Sequence, residues 1–193
     1  VEMLVQQILG IDPIERVSYR TIFQRELDID PHAASLSELQ HCVRSRIDAP
    51  FEDQRRDTWL ELAMSELVEP RLTQPTFVFD FPASQAALAE VRVDDFGVKV
   101  ATRFELYIAG MEIANGYQEL TDANEQSRRL EADLSQRARL GLPQRPVETR
   151  LVDALAAGFP NCAGVALGVD RLLMLKVEAS SIAEVLPFAF DRA

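Results

Sequence analysis

The sequence predicts an α+β fold, an antiparallel sheet flanked by helices, and three observations carry that expectation. Residues 1–70 show helical spacing of apolar positions interrupted by prolines, and from Thr76 apolar and polar residues begin to alternate. A polar helical run starting at Thr121 then separates this alternation from a short, glycine-containing apolar strand near position 164.

Taken in order, Asp12-Pro13, Asp30-Pro31 and Ala49-Pro50 divide residues 1–70 into four short helices, because each proline disfavours a helical residue before it. Met3, Leu4, Ile8 and Leu9 read as a helix already in progress, with no initiator methionine, so the chain is expected to be part of a longer protein. Ser18 is the expected N-cap of the second helix, Ser35 or Ser37 of the third, and Asp53 or Asp57 of the fourth. Leu60, Met64, Leu67 and Val68 share one face of the fourth helix and should be core; Trp59 beside them reads as core, not as a ligand-stacking platform. Phe77, Phe79 and Phe81 alternate with Val78 and Asp80 in a strand that ends at Pro82. A second β-rich run covers 103–110 and continues through 111–120. Asp122, with Glu125 placed to close a capping box, opens a helix that runs to about Leu140 and stops at Gly141-Leu142-Pro143. Its charges from Arg128 to Arg139 read as a solvated face. A helix over 147–157 ends at Gly158, a strand follows over 164–169, and after Asp170-Arg171 comes an apolar helix over 172–177. The expected organisation is a single domain over 1–193, with a helical segment at 1–70 and a sheet-forming core at 76–193.

Composition narrows the function. The chain has 193 residues, 47% of them apolar, with 8 glycines and 10 prolines, which excludes disordered and low-complexity classes. Its 20 Lys and Arg against 31 Asp and Glu leave a formal charge of −11, unsuited to a general phosphate-backbone binder. Cys42 and Cys162 are too few for a disulfide framework or a zinc site, so a reduced cytoplasmic protein is expected. No apolar run is long enough to span a membrane. His32 and His41 fall in the helical region and are expected at the surface.

Two constellations carry chemistry. Asn115-Gly116 within β-patterned sequence is the signal for a two-residue hairpin, which would set Glu112 directly opposite Glu119. Facing carboxylates repel, so the pair is either solvated at an edge, shares a proton, or grips a cation such as magnesium (Mg2+), which takes few carboxylates and completes its shell with water and phosphate oxygens. The second constellation is Gly164-Val165-Ala166-Leu167-Gly168-Val169-Asp170-Arg171. Its small residues share one flat strand face that leads to an arginine. That strip suits either a planar base with a phosphate or close helix packing with Arg171 paired to Asp170.

Together, in this order and with a helix between them, these segments resemble the catalytic core of class II aminoacyl-tRNA synthetases, specifically the lysyl branch. Residues 164–171 resemble motif 3, and Arg103-Phe104-Glu105 through Glu112-Ile113-Ala114-Asn115-Gly116-Tyr117-Gln118-Glu119-Leu120-Thr121-Asp122 resemble the strand pair before it. Phe81-Pro82-Ala83-Ser84-Gln85-Ala86, Gly141-Leu142-Pro143, Ser18-Tyr19 and Asp191-Arg192-Ala193 are similar to the truncated lysyl-synthetase paralogues that attach (R)-β-lysine to translation elongation factor P.

The resemblance implies that Glu112 and Ile113 contact ATP, that Gly168 lies against the adenosine, and that Arg171 meets the triphosphate. It implies that Glu119 holds a substrate amino group, that Asn115 offers an amide to the bound amino acid, and that Glu112 and Glu119 are magnesium ligands. Ala166 departs from the glycine usual in lysyl-tRNA synthetases, and its methyl group would reshape the pocket for a β-amino acid. The implied chemistry is adenylation followed by acyl transfer, with Arg171, Glu112 and Glu119 as the catalytic set. Nothing in the chain resembles motif 1 or motif 2, which lie further upstream in the family, so the chain is expected to be the C-terminal portion of the core and inactive alone. A protein acceptor is favoured over tRNA, and a homodimer is implied. The competing expectations are a paralogue with another acceptor and a non-catalytic synthetase-like regulatory module.

Overall fold

The computed structural model describes residues 1–146 and 148–189. Its elements in chain order are α1 (Glu2–Leu9), β1 (Glu15–Ser18), α2 (Tyr19–Leu27), α3 (Leu36–Arg44), α4 (Arg56–Ala63), β2 (Thr76–Pro82), β3 (Val91–Val93), β4 (Lys99–Ile108), β5 (Met111–Gln118), α5 (Ala123–Arg139), α6 (Thr149–Ala156), β6 (Ala163–Leu167) and α7 (Val169–Val177). The strands form one sheet in the order β1-β2-β4-β5-β6, with β3 also pairing to β4. Every pairing is antiparallel except β1 with β2, so the expected helices and antiparallel sheet are present with one parallel edge.

The four helices of the first segment form, but β1 interrupts them. Ser18 caps α2 by accepting the Thr21 N–H, and Ser35 closes a reciprocal capping box with Glu38 at the start of α3. The expected aspartate cap of α4 is absent, because Arg55 occupies the cap position. Asp53 instead accepts the Arg55 N–H at 2.8 Å and the Thr58 hydroxyl at 2.8 Å, while Asp57 lies in the first turn. Beyond α4 the chain winds through a π turn at Met64–Val68 and a 3-10 turn at Glu69–Arg71. Leu60, Met64, Leu67, Val68 and Trp59 are all buried as expected.

Two apolar clusters lie on the two faces of the sheet. One gathers Tyr19, Phe23, Trp59, Leu60, Val78, Phe81 and Tyr107 beneath α2, α3 and α4. The other gathers Val5, Phe77, Leu106, Ile113, Ala114 and Leu172 between the sheet and helices α1 and α7. Simple alternation expects Phe77, Phe79 and Phe81 together. The register shifts between Phe79 and Phe81, where Asp80 adopts φ 59°, and Phe81 is delivered to the opposite cluster.

The hairpin lies elsewhere than expected. Ile108 pairs directly with Met111, and the two residues between them, Ala109 and Gly110, both have positive φ, 53° and 70°. These dihedrals are what a two-residue turn matched to strand twist requires. Asn115-Gly116 is interior to β5, paired with Glu105 and Phe104 on one side and with Ala166 and Val165 on the other. Gly116 is needed for packing, because a Cβ there would stand 2.7 Å from the Phe104 ring and 2.8 Å from the Gly164 carbonyl oxygen. The predicted opposition of Glu112 and Glu119 is therefore not formed.

Asp122 caps α5 by accepting the Asn124 and Glu125 N–H groups, yet Glu125 does not return the bond and pairs instead with Arg128 and Arg129. Arg129 donates to the Ala89 carbonyl at 2.7 Å and so ties this polar helix to the 86–89 loop. Helix α6 begins at Thr149; its expected start, residue 147, and the Asp191-Arg192-Ala193 end lie outside the described residues. Helix α7 begins at Val169, earlier than the expected 172, so Arg171 sits in its first turn. His41 is exposed as expected, whereas His32 is half-buried, and that burial lowers its imidazole pKa.

Candidate active site

One irregularity in β5 assembles the site. The β4–β5 register runs Tyr107 to Glu112 and then Leu106 to Ala114, leaving Ile113 as an extra residue between paired positions. A bulge of this kind reverses the parity of the strand. Ile113 drops into the apolar cluster on the α7 face, 1% exposed, while Glu112 joins Asn115, Tyr117 and Glu119 along one cleft.

Cross-strand rows complete that face. Glu105 pairs with Asn115, and Asn115 with Ala166; Arg103 pairs with Tyr117, and Tyr117 with Gly164. A cleft of 680 Å³ lies over these rows and is closed on one side by Ala86 and Ala87. An adjoining pocket of 330 Å³ is lined by Glu112, Ile113, Asn115, Ala166, Gly168 and Arg171. The two share Glu112, Asn115 and Ala166 as a common wall. All seven residues expected from sequence, Glu112, Ile113, Asn115, Glu119, Ala166, Gly168 and Arg171, therefore line one or other of these two adjoining pockets.

The glycines of the motif 3-like strand divide their tasks. A Cβ at Gly164 would collide with the Glu119 carboxylate, so the missing side chain is what leaves that carboxylate its place. Gly168 is the N-cap of α7 and donates its N–H to the Ile113 carbonyl at 2.9 Å, anchoring the helix to the bulge. Arg171 does not pair with Asp170. Its Nη1 donates to the Glu112 main-chain oxygen at 2.7 Å, holding the guanidinium at the mouth of the smaller pocket.

Electrostatics set the two glutamates apart. Among the described residues, neither Glu112 nor Glu119 has an ion-pair partner for its carboxylate. Seven positions apart along one extended strand, Glu112 and Glu119 stand roughly 20 Å apart at the backbone, so the expected shared cation site is not formed, and a hard cation with a shell of water and phosphate oxygens could be met by only one of them. No group of three or more His, Cys, Asp or Glu side chains among the described residues is arranged to enclose a metal unaided.

Sequence reasoning assigned no role to Glu105, Arg103, Tyr107 or Glu69. Glu105 is 6% exposed and accepts from Arg103, from the Tyr107 hydroxyl, and from Asn115 Nδ2 at 2.9 Å. Burial raises its carboxyl pKa despite the opposing pull of Arg103, and burial together with Glu105 raises the Tyr107 phenol. Glu69, beside this group, is raised by burial and by the charges of Glu112 and Glu105. The signal was available, since strand alternation sets 103, 105 and 107 on one face, but nothing in the sequence said that this face was the cleft.

Residues 4–192 match the family described as tRNA synthetases class II (D, K and N), and the chain belongs to that family. Within it, relatives from Salmonella paratyphi B, Salmonella heidelberg and Salmonella schwarzengrund are each 49% identical to this chain over 199 aligned residues. Each of them is named "Elongation factor P--(R)-beta-lysine ligase". The alignments cover 100% of this chain and 60% of each relative, so the chain spans 60% of their length. No helix among the described residues is long and apolar enough to cross a membrane.

Proposed function

We propose that the protein is an ATP-dependent ligase that activates (R)-β-lysine as its adenylate and transfers it to a lysine side chain of translation elongation factor P. The observation that carries this reading is the pair of pockets over β5 and β6 that share Glu112, Asn115 and Ala166, one reaching Glu119 and the other Arg171. The names of the 49% identical relatives support the choice of amino acid and acceptor.

The nucleotide lies in the smaller pocket, its adenosine against Gly168 and its phosphates toward Arg171, whose guanidinium is already oriented by the Glu112 carbonyl. Glu119 holds an amino group of the substrate, and Asn115 offers its side-chain amide to the same molecule. The substrate carboxylate oxygen attacks the α-phosphorus of ATP, the bond to the β-phosphate bridging oxygen breaks, and pyrophosphate leaves. Arg171 offsets the negative charge that develops on the phosphates. Magnesium held at Glu112, on the wall that the two pockets share, would supply further charge neutralisation of those oxygens. In the second step the acceptor amine attacks the acyl carbon, AMP departs with the bridging oxygen, and the amine gives up a proton to form the amide. No covalent enzyme intermediate is needed. Ala166 pairs with Asn115 across the strands and narrows the cleft where a lysyl-tRNA synthetase carries glycine. The acidic balance of the chain favours a protein acceptor over tRNA, and a cytoplasmic homodimer completes the reading.

The test is amino-acid-dependent ATP–pyrophosphate exchange by the full-length protein, comparing (R)-β-lysine with α-lysine, followed by transfer of labelled β-lysine to elongation factor P. Preference for β-lysine that shifts toward α-lysine in Ala166→Gly, with label on the factor, is the expected result. Exchange without transfer to the factor overturns the acceptor, and a folded protein with no exchange overturns the reaction.

A further inference from the structure

Arg103 stands in the wall between two cavities. It lines the cleft over β5 and β6, and it lines a second cavity of 500 Å³ on the α4 side, bordered by Glu69, Glu105 and Tyr107. Its guanidinium is committed on every side. It lies 4.7 Å over the Phe81 ring, Nη1 donates to the Gln85 carbonyl at 3.2 Å, and Nη2 donates to Glu105. Its Nε donates to Asn115 Oδ1 at 3.2 Å.

The consequence falls on Asn115. Its oxygen faces a cationic donor and its nitrogen faces the Glu105 carboxylate at 2.9 Å. Turned over, the amide would set N–H against N–H and oxygen against carboxylate, losing both bonds. The side chain therefore has one orientation. A primary amide carries two N–H donors, and Glu105 takes one, so the other remains for a ligand. Asn115 borders both the cleft and the nucleotide-side pocket, where that N–H is of use.

We propose that Arg103 is a positioning residue: with Glu105, it locks the Asn115 amide so that one N–H is offered to an oxygen acceptor, the carboxylate, of the amino acid bound over β5 and β6. The proposal rests on the ligase reading for its substrate and on this network for its geometry. Arg103 acts here through Asn115, its guanidinium being spent on Gln85, Glu105, Asn115 and the Phe81 ring.

The experiment uses the full-length protein with Arg103→Met, Asn115→Ala and the double variant, measuring KM for (R)-β-lysine and for ATP in pyrophosphate exchange. In parallel, the Asn115 side-chain amide is followed by nitrogen-15 NMR without ligands. Each single substitution is expected to raise the amino-acid KM by about tenfold or more and the ATP KM by less than about twofold, from loss of one hydrogen bond to a charged ligand. The double variant is expected to be no worse than Asn115→Ala. The Asn115 amide pair, resolved in the unmutated protein, is expected to collapse toward the solvent-averaged position in Arg103→Met. Multiplying effects in the double variant, or an unmoved amide pair, overturn the proposal. Should Arg103→Met fail to fold, Arg103→Lys takes its place with an intermediate KM expected. Absence of β-lysine exchange in the unmutated protein defeats the ligase reading alone, because the amide signals still test the lock.

Discussion

One face of the sheet is built in two ways. Over β1, β2 and the neighbouring part of β4 it is sealed by α2, α3 and α4, with Tyr19, Phe23 and Trp59 at 0% exposure. Over β5 and β6 no helix among the described residues covers it, and the side chains lining it include Glu112, Asn115, Glu119 and Ala166. The sealed end supplies burial, at roughly 25 cal/mol per Å² of apolar surface, and any polar group placed there without a partner costs free energy. The open end supplies almost none and holds carboxylates that a core could not. Between them stands the hydrogen-bonded Arg103–Glu105–Asn115 group, the proposed link from the first region to the second.

This division can be broken from either side. The largest effect is expected at the sealed end: Trp59→Ala removes a fully buried side chain and its bond to the Asp53 carbonyl, costing about 3–5 kcal/mol of stability. Denaturant titration measures that loss, and the amino-acid KM of the folded fraction should not change. Next comes Gly116→Ala, between the two regions, whose methyl group would press on the Phe104 ring and the Gly164 carbonyl. It is expected to cost about 1–3 kcal/mol and to raise the amino-acid KM as well, because β6 must shift.

Gly164→Ala sharpens the contrast, since its Cβ meets only the Glu119 carboxylate, the far end of a flexible side chain. Stability should move by no more than about 0.5 kcal/mol while the amino-acid KM rises by about tenfold. Equal effects on stability and KM would contradict the division. The smallest effect is one of sign, and it belongs to Glu105. Burial raises its pKa, so the folded state holds the proton more tightly than the unfolded chain, and the stability this gives is present below the ordinary carboxylate value and lost as pH rises through the raised one. Relative to the unmutated protein, Glu105→Gln should therefore gain stability as pH rises from the ordinary carboxylate range through the raised value. Thermal melts across that range read the difference, and a gain toward low pH would reverse the assignment.

Much of this was legible in the sequence, for reasons that are local. Ser18 and Ser35 cap helices because their hydroxyls accept backbone N–H groups from the next turn, which depends only on neighbours. The strand at Thr76–Pro82 and the small-residue strand before Arg171 announced themselves by pattern. The hairpin did not, because Asn-Gly is a strong turn signal only where the chain is free to turn. Gly116 was needed instead under Phe104, and the turn fell to Ala109-Gly110, where Gly110 fits against the Glu69 carbonyl, 3.4 Å from a would-be Cβ.

Glu112 and Glu119 thus share a cleft by a mechanism opposite to the one expected, through a bulge at Ile113 and not through cross-strand pairing. Bulges arise from tertiary fit and leave no mark in alternation. Glu105 escaped for a related reason: within β4 it reads as one polar residue among alternating ones, and its burial is visible only once Arg103, Tyr107 and Asn115 surround it.

The open end of the sheet is held to be where an amino acid is activated, and one measurement addresses that claim directly. It is ATP–pyrophosphate exchange with (R)-β-lysine by the full-length protein beside its Glu119→Gln and Arg171→Ala variants, each first shown to melt as the unmutated protein does. Exchange that is abolished in Glu119→Gln and sharply slowed in Arg171→Ala is the predicted result. Exchange at the unmutated rate in either variant would contradict the assignment of that residue, and in both would move the chemistry away from β5 and β6.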